Sequence, residues 1–168
     1  MIVLAFVGLF AVAGTTVMLL WHGGEPAAGR QLPAPIVPLA DHDVCADHLA
    51  VYVDTDAEMR RIADVVHMDR RARKVYTETK DEAYQRFKVM FQDSPALVAS
   101  ARPDALPASV TIVGTGQVDL RAWGAELKAT FPEVTDVKPV IMSEILPSLT
   151  ARYGTADLKS PCPPSGER

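Results

Sequence analysis

The sequence predicts an α+β fold: a ferredoxin-like βαβ-βαβ sandwich with an inserted helical lobe, preceded by one transmembrane helix. Three observations lead to this prediction. Residues 2–21 contain no charged side chain, strand-like segments alternate with amphipathic helices after residue 48, and residues 79–108 interrupt that alternation. Two strand–helix–strand units of this kind pack as one sheet backed by two helices.

The apolar segment at 2–21 is long enough to cross a bilayer. A helix of about 20 residues spans the roughly 30 Å of the hydrocarbon core, and Trp21 stands at the end of the segment, where an indole favours the interface. We therefore expect an uncleaved transmembrane anchor at 1–22. The alternative is a secretory signal that is removed after Ala28. In both cases the following domain is exported.

An extended linker is predicted at 23–44. Its prolines exclude a helix and favour a polyproline-like chain. These prolines are Pro26, Pro33, Pro35 and Pro38. The folded domain is then expected at 45–153, followed by a tail at 154–168.

The two cysteines, Cys45 and Cys162, do not belong to a C-x-x-C pair. Behind a membrane segment, two such cysteines indicate an oxidising compartment and one disulfide. This bond would attach the tail to the start of the first strand. Two unrelated free thiols are the alternative.

The first strand–helix–strand unit is predicted at 49–78. Side chains alternate in character at 49–53, as in a strand. Thr55 and Glu58 then form a capping box, and the helix that follows has apolar residues at i, i+3, i+4 and i+7. These residues are Met59, Ile62, Ala63 and Val66. A second strand is expected at 73–78.

The second unit is predicted at 109–142. A strand at 109–113 precedes a helix with a regular apolar stripe, which Pro132 helps to end. The stripe consists of Leu120, Trp123, Leu127 and Phe131. A last strand is expected at 134–142, and Pro139 indicates that it lies at a sheet edge, because proline cannot donate to the ladder.

Residues 79–108 do not fit a minimal sandwich and predict a lobe of two short helices. Thr79 and Glu82 form a second capping box, and the second helix is expected at 95–101 with Leu97 and Val98 as its apolar residues. Five side chains of the first helix fall within an arc of about 120°, and Val89 lies away from it. The five are Ala83, Tyr84, Phe87, Met90 and Phe91.

So small a lobe is not expected to bury all of these side chains, and an exposed apolar patch often marks a protein contact. The alternative is that every one of them belongs to the core.

Composition and motifs argue against nucleic acid binding and catalysis. The net charge is −4 with no basic run, and no G-x-S-x-G, H-E-x-x-H, P-loop or G-x-G-x-x-G motif occurs. His42, Cys45 and His48 form a dense cluster of possible ligands, but their spacing matches no zinc or copper site. We predict no catalytic residue, no metal and no cofactor.

Three motifs resemble the extracellular domain of FtsX, the permease-like cell-division protein. Residues 75–87, VYTETKDEAYQRF, resemble the strand of that family followed by S-K-E-E-A-…-F. Residues 106–109, LPAS, resemble its L-P-A-S strand start, and residues 132–137, PEVTDV, resemble its P-G-V-…-V. Order and spacing agree over about 48–142.

The resemblance implies a domain that projects from the membrane, engages peptidoglycan hydrolases or their activators, and couples them to the cytoplasmic ATPase FtsE. It also implies that the helical lobe is the docking surface. Carried over by position, the expected partner contacts are Tyr84, Phe87, Met90, Phe91, Leu97 and Val98.

FtsX has four membrane helices, whereas one segment qualifies here, so the chain resembles a detached extracellular domain on its own anchor. The predicted function is a membrane-anchored, extracytoplasmic protein-binding domain that regulates or recruits peptidoglycan hydrolases, together with other division proteins. The alternative is a generic exported ferredoxin-like domain that binds a ligand or senses the state of the envelope.

Overall fold

The computed structural model describes residues 32–153 and 162–167. The strands are β1 (Ile36–Pro38), β2 (His48–Val53), β3 (Ala72–Glu78), β4 (Ala108–Gly114) and β5 (Val134–Val140). The helices are α1 (Asp56–Val66), α2 (Lys80–Met90), α3 (Pro95–Ser100), α4 (Leu120–Thr130) and α5 (Met142–Tyr153), with a 3₁₀ turn at Pro103–Ala105. The anchor predicted at 1–22 lies outside the described residues, and no helix within them has the length and apolarity needed to cross a bilayer.

The strands form one sheet in the order β1-β3-β4-β2-β5. β1 is parallel to β3, and the other neighbouring pairs are antiparallel. Without β1, this is the order of two split βαβ units, because α1 crosses from β2 over β4 to β3 and α4 crosses from β4 over β2 to β5. The α+β prediction is confirmed, and the four strands have the order that the predicted sandwich requires.

The main core lies between one face of the sheet and the helices α1 and α4. Alternate side chains of β2 and β4 point to this face, as the pleat of a strand dictates. The predicted stripes of α1 and α4 are fully buried against them. The capping box at Thr55 and Glu58 is also present, with the Glu58 N–H donating to Thr55 Oγ1 at 3.2 Å.

The prediction of an extended linker up to residue 44 is wrong, because part of this segment forms β1 at the edge of the sheet. The Val75 N–H donates to the Pro35 carbonyl at 3.0 Å, and the Leu39 N–H donates to the Thr77 carbonyl at 2.7 Å. Ala34 and Leu39 are buried. The prolines exclude a helix but not a strand at the sheet edge, where proline is tolerated. The folded unit therefore begins before residue 45.

The last strand is shorter than predicted and is followed by a helix that was not predicted. β5 ends at Val140 at the sheet edge, and the Met142 N–H at the start of α5 donates to Asp47 Oδ1 at 2.8 Å. Pro147 lies inside α5. An internal proline normally disfavours a helix, so the sequence at 142–153 does not by itself favour one.

Residues 162–167, which we call the clasp, pack on the domain and are not a loose tail. A disulfide joins Cys45 to Cys162 with a Cα–Cα distance of 5.4 Å. The Gly166 carbonyl accepts hydrogen bonds from the Cys45 and Ala46 N–H groups at 3.0 and 3.1 Å. The expected disulfide is thus present, and it brings the C-terminal residues to the segment just before β2.

Candidate partner-binding surface

The lobe at 79–108 is anchored to α1 through the first turn of α2. The Glu82 N–H donates to Thr79 Oγ1 at 3.2 Å, and the Thr79 N–H donates to Glu82 Oε2 at 2.7 Å, which completes the second predicted capping box. The Lys80 N–H donates to Asp56 Oδ1 at 2.9 Å. Because Asp56 begins α1, this bond fixes the start of α2 relative to the main domain.

The lobe leaves much of its apolar surface outside the core. No residue of α2 or α3 is buried. Met90 is 66 % exposed and Leu97 is 44 % exposed. The other predicted contacts, Tyr84, Phe87, Phe91 and Val98, are half-buried. All six predicted contacts therefore keep part of their surface accessible, as an exposed patch requires.

A cavity of about 190 Å³ separates α2 from the end of the sheet. Phe87 and Met90 line its apolar side, together with Ala83. The remaining lining residues are Tyr52, Glu78, Arg86, Leu106, Pro107 and Ser109. Of the six predicted contacts, the structure thus brings Phe87 and Met90 to a concave site.

The other four predicted contacts lie away from this cavity. Phe91 packs on Phe87 with ring centroids 4.7 Å apart, and the ammonium group of Lys88 lies 5.0 Å from the Tyr84 ring centroid. Leu97 and Val98 belong to α3. These four side chains therefore lie on the lobe but do not line the cavity.

A second cavity, of about 300 Å³, lies on the face of the sheet that is turned away from α1 and α4. We call this face the open face. The second cavity shares Tyr52, Arg86 and Ser109 with the first cavity, so the two adjoin. His48 lines this cavity, and burial lowers the pKa of its ring. Sequence reasoning missed this cavity, although His48 and Tyr52 alternate with apolar residues along β2.

An ion pair between the exposed Arg86 and the buried Glu78 lies between the two cavities. Arg86 Nη2 donates to Glu78 Oε2 at 2.5 Å, and Ser109 Oγ donates to the same oxygen at 3.3 Å. Glu78 is buried at the end of β3, and burial raises the pKa of its carboxyl while the Arg86 charge opposes the shift. The pair ties α2 to the sheet and holds the guanidinium at the rim of both cavities.

Residues 48–150 match the family described as the FtsX extracellular domain. The chain belongs to the FtsX extracellular domain family. No curated protein matches the chain. The matched range includes the lobe, whereas β1 and the clasp fall outside it.

Membership in the FtsX family fixes the general character of the domain. The family is an extracytoplasmic, non-catalytic part of a permease-like cell-division component that acts through protein–protein interaction. The cavity beside α2 and the apolar patch around it lie within the FtsX match.

The possible metal ligands His42, Cys45 and His48 each have a partner within the protein. Cys45 is in the disulfide, and His42 Nδ1 lies 3.0 Å from Glu167 Oε2. His48 Nδ1 is 2.8 Å from the Ala46 carbonyl. Within the part of the chain that the structure describes, no group of three or more histidine, cysteine or acidic residues is placed to hold a metal ion.

The Glu78 carboxyl of the FtsX domain should make stability depend on pH. Because its folded pKa is raised, its contribution is fully present below the ordinary glutamate pKa and is lost as the pH rises through the folded value. Glu78→Gln removes this loss. The free energy of unfolding of the variant minus that of the wild type should therefore become more positive as the pH rises from about 4 to about 7. Urea unfolding at several pH values measures the difference.

Glu126→Gln is the matched control. Its hydrogen bonds with Arg71 lower the Glu126 pKa, so its contribution is present above the ordinary glutamate pKa and is lost on acidification. The difference between this variant and the wild type should have the opposite trend. A flat difference for Glu78→Gln would contradict a raised pKa at the lobe.

Proposed function

We propose that the chain is a membrane-anchored, extracytoplasmic adaptor that binds a peptidoglycan hydrolase, or an activator of one, through the lobe and so regulates or recruits wall hydrolysis at division. One observation carries the proposal. A cavity lined by Phe87 and Met90 opens beside α2, and further exposed apolar side chains lie on the same lobe. The family membership supplies the cell-division context.

The geometry suits an apolar anchor of the partner. The cavity of about 190 Å³ has the capacity for a side chain, and Phe87 is held in place by its contact with Phe91. Met90 is unbranched and adapts its shape to what it contacts. Burying an exposed Met or Leu side chain is favourable, and Met90, which is 66 % exposed, still has most of its surface for a partner to cover.

A charged side chain at the edge of the cavity would orient a bound partner. Arg86 stands beside the apolar cavity with its guanidinium half-exposed, and Glu78 holds it there. Charged groups at the rim of an interface orient a partner more than they strengthen it. A partner helix or loop that carries an apolar anchor next to a carboxylate fits this arrangement.

Met90→Asp tests the proposal and Val89→Asp is its matched control. Both side chains are exposed, at 66 % and 68 %, and they are neighbours on α2, but Met90 lines the cavity and Val89 does not. A charge at residue 90 should weaken binding by at least about 30-fold, or about 2 kcal/mol, whereas the same charge at residue 89 should change it by less than about threefold.

The measurement is the Kd of the full-length protein, in nanodiscs, for each purified division hydrolase and activator of the same organism. Circular dichroism verifies that both variants fold. Equal weakening by the two variants would show that the effect is not specific to the cavity. Binding that neither variant changes would exclude the lobe as the docking surface.

A further inference from the structure

The clasp, residues 162–167, has little apolar surface with which to hold itself in place. Pro163, Pro164 and Ser165 are exposed, and Gly166 has no side chain. Segments with few buried apolar contacts open at low free-energy cost. The covalent bond from Cys162 to Cys45 is therefore the strongest attachment of the clasp to the domain.

Polar contacts supply the rest of its attachment. Arg73 Nη1 donates to the Pro164 carbonyl at 2.9 Å. The Glu167 carboxylate accepts from Lys74 Nζ at 2.5 Å and from the Tyr76 hydroxyl, and it lies 3.0 Å from His42 Nδ1. Ion pairs that water reaches contribute little to stability, so these contacts position the clasp but hold it weakly.

The clasp secures a segment that covers the open face. Residues 39–46, the cover segment, contribute Leu39, Val44 and Ala46 to a small apolar cluster with Tyr76 and Val113. Val44 forms a β-bridge with Glu167, and the Cys45 and Ala46 N–H groups donate to Gly166. The second half of the cover segment is thus connected to the clasp by the disulfide and by backbone hydrogen bonds.

The clasp also forms one wall of a groove of about 630 Å³ at the end of the sheet opposite the lobe. Cys162, Pro163 and Gly166 line this wall. The facing wall includes Val118, Leu120, Ile141 and Met142, and Asp119 and Arg121 also line the groove. Movement of the clasp would therefore widen a mostly apolar groove as well as loosen the cover segment.

We propose that the Cys45–Cys162 disulfide is a redox switch: its reduction releases the clasp, loosens the cover segment from Tyr76 and opens the groove, while the main core stays folded. The reductant is a dithiol protein or reagent. One of its thiolates attacks Cys162 Sγ, since Cys45 is buried, and forms a mixed disulfide. Its second thiol resolves that bond. Two electrons and two protons pass to Cys45 and Cys162, and the reductant leaves as its own disulfide.

Hydrogen exchange on the full-length protein, oxidised or treated with dithiothreitol, tests the switch. The Cys45 and Ala46 amides should lose protection by at least about tenfold and approach the unprotected rate, because their acceptor, the Gly166 carbonyl, departs. The amides of Val51 and Val110, in β2 and β4, should remain protected. Cys45 and Ala46 amides that stay protected after reduction, or core amides that lose all protection, would overturn the proposal.

Two variants separate the covalent bond from the polar contacts. The double variant Cys45→Ser, Cys162→Ser should reproduce the exchange pattern of the reduced protein without reagent, and a pattern like that of the oxidised protein would overturn the proposal. Oxidised Glu167→Gln weakens the contacts with Lys74 and Tyr76 but keeps the disulfide. It should retain the protection at Cys45 and Ala46. Loss of that protection would show that Glu167, and not the disulfide, holds the clasp.

Discussion

Replacing Trp123 by alanine should lower the free energy of unfolding by about 3–5 kcal/mol. Trp123 is 1 % exposed and stands in the middle of α4, where it packs in the main core. The Arg71 guanidinium covers its ring at 4.8 Å from the centroid. The indole Nε1 has no hydrogen-bond partner among the described residues, so the loss comes from the cavity and the missing packing.

Urea unfolding followed by far-ultraviolet circular dichroism measures this loss. Lys128→Ala, on the exposed side of the same helix, is the control and should change the free energy of unfolding by less than about 0.5 kcal/mol. A loss below about 1 kcal/mol for Trp123→Ala would mean that α4 does not close the core as described.

Removing the disulfide should have an effect of similar size. The bond joins residues 117 positions apart, and in the chain-entropy model closing so long a loop stabilises the folded state by about 5 kcal/mol. The double variant Cys45→Ser, Cys162→Ser should therefore lose about 5 kcal/mol of unfolding free energy, mainly because its unfolded chain is less restricted.

Comparison of this variant with oxidised and reduced wild type identifies the source of the loss. The variant and the reduced wild type should have the same urea midpoint, well below that of the oxidised wild type. If both remain within about 1 kcal/mol of the oxidised protein, the cross-link does not restrict the unfolded chain as the entropy model requires.

The features that the sequence predicted correctly depend on residues close together in the chain. Both capping boxes, at Thr55 and Thr79, require a partner only three residues away. The apolar stripes of α1 and α4 have the helical period, and every member is buried. The strand order followed because right-handed crossovers between these elements permit few arrangements.

The features that were missed depend on contacts between distant residues. β1 has three residues and becomes a strand only because β3 lies beside it. The clasp has no periodicity, and its place is set by Cys45 and by the Lys74–Glu167 pair, 93 residues apart. Neither segment has a local preference from which its structure follows.

The same contrast between local patterns and distant contacts applies to the candidate site. The arc on α2 that contains Phe87 and Met90 is a local pattern, and those two residues do line the cavity. The second cavity, on the open face, combines β2, β4, β5, α2 and the segment after β1. Five elements separated in sequence meet there, so no single window of residues indicates it.

The parallel pairing of β1 with β3 has a mechanical consequence. The chain enters the domain at residue 32 near the start of β3, because the Ala34 N–H donates to the His67 carbonyl, and the lobe follows the other end of β3. A pulling force between residue 32 and a partner held by the lobe runs along the strands. It loads the bonds Val75–Pro35 and Leu39–Thr77 in shear, simultaneously and not one after another. The short edge strand is thus oriented to resist tension between the two ends of the domain.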